Sequence, residues 1–144
     1  MTEKTLQRKV IHLDEEFKKF VDAIEKDGPF EGAAHKDVFI IALVLGFNKG
    51  KRTPIKKRLS GGFFREDTFN DDQRNLIATI AIAHKENLEI LMEKNKDELF
   101  SIAEEYANTG FPILREQLAL SGTFEKRLES ELRKKIKILN EIKL

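Results

Sequence analysis

The run from Lys49 to Arg58 carries Lys49, Lys51, Arg52, Lys56, Lys57 and Arg58 with no acidic residue among them. Cationic side chains on a loop kept open by Gly50 and Pro54 can reach phosphate oxygens. Each phosphate neutralised releases counterions, so such a loop would hold double-stranded DNA with steep salt dependence and little sequence preference. The plainer alternative is a solvated loop whose charge is balanced by Glu66, Asp67, Asp71 and Asp72 just downstream. No aromatic residue lies between Lys49 and Arg58, so base stacking of the single-strand-binding kind is not indicated. A second cationic strip, Arg133-Lys134-Lys135 with Lys137, is interleaved with Ile136 and Leu139. It fits the solvated face of an amphipathic helix better than a second phosphate contact.

The other reactive residue types form no catalytic pattern. His12, His35 and His84 are far apart and lack metal-ligand spacing, so neither a metal nor another cofactor is expected. Glu104 and Glu105 are neighbours and would point in different directions on a helix, which makes them a poor acid–base pair. Asp71-Asp72 reads as a helix start. Gly61-Gly62 is followed by no Gly-Lys-Ser/Thr, and Ser60, Ser101, Ser121 and Ser130 have no nucleophile-elbow context. No catalytic residue is assigned, and the expectation is a protein that is not an enzyme.

Composition narrows the partners. Among 144 residues, 26 basic and 25 acidic side chains leave a net charge of +1, so any attraction to nucleic acid must come from a local patch. Hydrophobic residues make up 40%, with eleven Phe, which is enough for one packed domain over 1–144. There is no Cys, which removes disulfides and thiolate chemistry. The longest apolar run, Val38–Phe47, falls well short of the about 20 residues a membrane helix needs. With a charged start and no signal-peptide core, a cytoplasmic protein without membrane contact is expected.

The elements that position these residues follow from spacing. Residues 6–13 alternate weakly and read as a short strand or arm, with Lys9, Ile11 and Leu13 on one side and Arg8, Val10 and His12 on the other. Asp14 stands at an N-cap position, and Phe17, Phe20, Val21 and Ile24 mark a first helix over about 14–26. A second helix over about 33–48 is apolar nearly all round and should be central, with Gly50 as its stop. Phe63 and Phe64 should anchor the basic loop on the core. A third helix is expected from Asn70 or Asp71 to about Glu93, its apolar stripe including Leu88 and Leu91. A fourth starts near Lys96 and should be kinked or divided at Asn108–Pro112. Ser121-Gly122-Thr123 reads as a break that separates a core over 14–122 from an amphipathic C-terminal helix over 123–144. The fold class is mainly α: five to six helices, with a short N-terminal strand.

Three stretches together carry a family resemblance: Asp27-Gly-Pro-Phe-Glu; Lys36-Asp-Val-Phe through Leu45-Gly-Phe to Arg52-Thr-Pro; and Glu104-Glu-Tyr-Ala-Asn-Thr-Gly followed by Ile113-Leu-Arg-Glu-Gln-Leu. The arrangement resembles DNA phosphorothioation-associated protein 4, a family found with bacterial DNA sulfur-modification and restriction systems. The resemblance implies an accessory role in such a defence system, beside machinery that marks self DNA with backbone sulfur and restricts unmarked DNA. It carries over no catalytic residue.

A weaker likeness is one of element order only. Strand, helix, turn and helix over residues 8–48 match a ribbon-helix-helix unit, in which a homodimer inserts paired strands into the major groove. Arg8, Val10 and His12 would then face the groove. Two functions therefore stand open: a non-enzymatic DNA-binding or regulatory accessory using Lys49, Lys51, Arg52, Lys56, Lys57 and Arg58, or a protein-interaction subunit bound to other components of the defence system.

Overall fold

The computed structural model describes residues 10–142, and of residues 121–128 and 142 it describes the backbone alone. The order is β1 (Val10–Ile11), a 3-10 turn (Glu15–Phe17), α1 (Lys18–Lys26), α2 (His35–Lys49), β2 (Phe64–Arg65) and a 3-10 turn (Glu66–Thr68). Then follow α3 (Asp71–Lys85), two more 3-10 turns (Leu88–Leu91, Glu93–Asn95) and α4 (Lys96–Ile142). The fold is mainly α, with a short strand at its start, as the spacing predicts.

β1 pairs antiparallel with β2 of the same chain, Val10 opposite Arg65 and Ile11 opposite Phe64. The pairing continues beyond the strands. The amides of Phe63, Leu59 and Glu15 donate to the carbonyls of Ile11, Leu13 and Lys57 at 2.8, 2.8 and 2.9 Å. Ile11 and Leu13 are buried, which honours the alternation read from sequence. The partner of β1 is therefore a strand of the same chain. A Cβ placed on Gly62 would stand 2.8 Å from Val10 Cβ, so Gly62 packs against a half-buried Val10. The half-buried His12 donates its amide to Glu104 Oε2 at 2.6 Å. Arg8 lies outside the described residues.

α2 is the central helix and packs antiparallel on α4. Two glycines allow this. A Cβ on Gly46 would lie 1.7 Å from the Tyr106 carbonyl oxygen, and one on Gly110 would lie 1.7 Å from that of Ala42. The two backbones touch where any larger residue would hold them apart. Around this crossing Phe39, Phe64 and Phe69 pack edge-on or tilted, and Phe17 stacks on Phe111 at 5.4 Å. Phe63 is buried and stacks on His35 at 4.6 Å, so both Phe63 and Phe64 anchor the basic segment as expected.

Three boundaries differ from the sequence reading. α3 ends at Lys85 rather than near Glu93, because Glu86 turns left-handed (φ 55°) and Asn87 caps the next turn through the Glu89 amide. Leu88 and Leu91 consequently face solvent, while Ile90 is buried. α4 runs unbroken through Asn108–Pro112. Pro112 removes one amide, the one that would serve the Asn108 carbonyl, and the flanking helical bonds persist. α4 also continues through Ser121-Gly122-Thr123. A single glycine costs a helix about 1 kcal/mol, too little to stop it.

Candidate functional site

Asp14 organises the basic segment. Its buried carboxylate accepts from the Glu16 amide at 3.2 Å, capping the 3-10 turn, and from the Lys56 amide at 2.9 Å. From the other side α4 holds the preceding residues. The Thr53 amide donates to the Glu105 carbonyl at 3.0 Å, and Thr53 Oγ1 lies 2.7 Å from Thr109 Oγ1. Asn108 Nδ2 donates to the carbonyls of Thr53 and Pro54 at 3.0 Å each. The backbone of the segment is therefore pinned from two sides, while Lys49, Lys51, Lys56, Lys57 and Arg58 stay exposed.

The six cations separate into different roles. Arg52 turns inward. Its Nε and terminal nitrogen each lie 3.0 Å from Glu105 Oε1, and its other terminal nitrogen lies 2.7 Å from His84 Nε2. A guanidinium has no acceptor, so His84 Nε2 must accept and Nδ1 must carry the ring proton, which it donates to the Tyr106 hydroxyl at 2.8 Å. The His84 pKa is lowered, first by burial and then by the Arg52 and Lys85 charges, which agrees with a neutral ring. Lys57 reaches Glu15 at 3.4 Å. Arg58 is exposed and stands opposite Asp14 on the strand-like pairing. The acids paired with side chains of this run are Glu15 and Glu105, while Asp14 holds its backbone. Of the downstream acids, Glu66 pairs with Arg74 and Lys96, and Asp67 with Arg65.

Lys49, Lys51 and Lys56, all exposed, together line a pocket of about 310 Å³. Phe17, Pro54, Pro112 and Ile113 give it apolar walls, while Asp14, Glu16, Asn108 and Thr109 add polar groups. Sequence reasoning identified the lysines but missed Asn108, Thr109 and Pro112, which lie more than fifty positions away along the chain. Glu104 and Glu105 diverge as expected, one toward β1 and one toward Arg52. The strip Arg133–Lys137 lies in a part of α4 where every residue from 129 to 141 is exposed. Among the described residues no group of three His, Asp or Glu could hold a metal, and no helix is long and apolar enough to cross a membrane.

A family model for DNA sulphur modification system-associated protein 4 matches residues 11–141, which span both the basic pocket and the exposed end of α4. The chain belongs to that family. Membership places it with DNA sulphur modification systems in an accessory role. No curated protein and no solved structure matches the chain. For this member of DNA sulphur modification system-associated protein 4, the pocket and the exposed half of α4 are two features open to a partner or ligand.

Proposed function

We propose that this chain is a non-enzymatic, cytoplasmic accessory that docks another protein component of its DNA sulphur modification system through the distal half of α4. One observation carries the reading: Leu132, Ile136 and Leu139 are 52%, 57% and 64% exposed at helical spacing. Burying each such side chain stabilises a complex by about 1.5–3 kcal/mol, and a helix of this kind fits an apolar groove. Arg133, Lys134, Lys135 and Lys137 alternate with Glu129, Glu131 and Glu141, and Arg133 is paired with Glu129, so the stripe has a rim of mixed charge. The partner surface is accordingly an apolar groove.

The test is co-expression with the defined protein components of the system. The variant Leu132→Lys/Ile136→Lys/Leu139→Lys should lose the component that the wild type retains, and retention should survive about 0.5 M salt because the interface is mainly apolar. Unchanged co-purification of the variant, or a homodimer that the variant dissolves, would overturn this occupant.

A second reading, backbone contact with double-stranded DNA, is favoured by the grouping of Lys49, Lys51 and Lys56 on one rim. Their triple alanine variant should flatten the salt slope of duplex binding by about 0.9 for each phosphate that is no longer neutralised. Arg52 is left out because it is bound to Glu105 and His84.

A further inference from the structure

The turn that closes α3 at Glu86 leaves a surface that neither the α4 stripe nor the lysine pocket includes. Leu88, Leu91 and Met92 are 69%, 46% and 50% exposed. Single exposed apolar side chains are ordinary, but three on one short turn form a patch, and such patches mark contact sites. Their backbone is held in place. The Glu89 amide donates to Asn87 Oδ1 at 2.8 Å, Asn95 Nδ2 donates to the Glu89 carbonyl at 2.7 Å, and the Asn95 amide donates to the Met92 carbonyl at 2.8 Å. Beside the patch opens a pocket of about 230 Å³. Buried Ile77, Ile90 and Phe100 line it together with Leu99 and the exposed Leu91 and Met92.

The charges around it select the occupant. Arg74 and Lys96 turn to one carboxylate, that of Glu66, at 3.7 and 2.7 Å, and Lys85 lies 2.8 Å from Glu98. Among the described residues, the ionisable side chains of 85–96 that stand without an ion pair are Glu86, Glu89, Glu93 and Lys94, all exposed. The charge left over is therefore mainly negative. DNA is opposed here, because its phosphates would meet these acids and an apolar pocket. An acidic protein segment meets the same repulsion. A segment with an apolar anchor between Lys or Arg residues gains in both zones. We propose that this patch docks a partner protein through a basic amphipathic segment. One large apolar side chain of that segment enters the pocket beside Met92 and Phe100, and its Lys or Arg neighbours meet Glu86, Glu89 and Glu93. The anchor supplies affinity and the charges supply selection. Met92 is unbranched and adapts to the shape of the anchor. The chain's own distal α4 is a poorer occupant, since its cations alternate with Glu129, Glu131 and Glu141. The patch shares no residue with the α4 stripe or the lysine pocket, so the inference is independent of both readings above.

Two synthetic probes test it: short helical peptides with leucine along one face and either lysine or glutamate on the other. Amide chemical shifts of the full chain are followed as each is added. The leucine–lysine peptide should shift amides around the turn at 86–100 and bind on the order of tenfold more tightly than the leucine–glutamate peptide. Leu88→Ser/Leu91→Ser/Met92→Ser alters only exposed side chains and so keeps the fold. It should weaken the leucine–lysine peptide by about tenfold or more. Glu86→Gln/Glu89→Gln/Glu93→Gln should erase the preference between the two peptides. Equal binding of both peptides by the wild type, an unaltered affinity in the serine variant, or shifts confined to other residues would overturn the proposal. So would a dimer in sedimentation that the serine variant dissolves, because a second copy would then be the occupant.

Discussion

Arg52 lies in the middle of a run of six cations, and its charge is answered inside the molecule by Glu105 and His84. Nothing local could have revealed this, because Glu105 and His84 are 53 and 32 positions away. The arrangement has a pH consequence. Protonated His84 would point an N–H at a guanidinium that can only donate, so the folded chain resists the proton. Its pKa therefore lies below the ordinary 6.5, with burial the largest cause and Arg52 the next. An unfolded chain takes up that proton normally. The contribution of neutral His84 is thus fully present above about pH 6.5 and is lost as pH falls from there through the depressed folded value. Thermal unfolding should show the wild type losing more midpoint temperature between about pH 7 and pH 5 than His84→Gln, which has no titrating ring. Parallel profiles would remove His84 as the group responsible.

At the scale of elements, α2 and α4 meet backbone to backbone at Gly46 and Gly110. In sequence Gly46 is one residue of the apolar run Val38–Phe47, and Gly110 belongs to the Asn108–Pro112 stretch read as a kink or division. Their function depends on which helix lies opposite, and spacing within one helix does not encode that. Alanine would favour each isolated helix by about 1 kcal/mol. Here a Cβ meets a carbonyl oxygen that cannot move without moving its helix. Gly46→Ala and Gly110→Ala should each lower stability by roughly 1–3 kcal/mol in urea unfolding. A rise in the midpoint would mean that the helices are less closely packed. The same helix accounts for two of the three boundary differences. Pro112 and Gly122 each weaken α4 locally, and packing on α2 fixes the first half strongly enough that Pro112 does not end it.

For the whole molecule, α4 is 47 residues long, about 70 Å at helical rise, and α2 covers only its first half. Every residue from 129 to 141 is exposed. Removing residues 129–144 should therefore change unfolding free energy by no more than about 0.5 kcal/mol, as for other surface changes. A larger loss would show that this end packs on the core. The sequence by itself determined the mainly α class, the central place of α2, the N-cap at Asp14 and the aromatic anchors. Each of these depends on the period of apolar residues or on contacts within a few positions. Tertiary structure alone decided which of Lys49, Lys51, Arg52, Lys56, Lys57 and Arg58 share a pocket. It also decided that Asn108 and Pro112 line that pocket with them and that the apolar stripe of α4 stays uncovered. Those outcomes depend on which surfaces meet after the chain folds back, and a one-dimensional pattern of charge and hydropathy does not specify the partner across the gap.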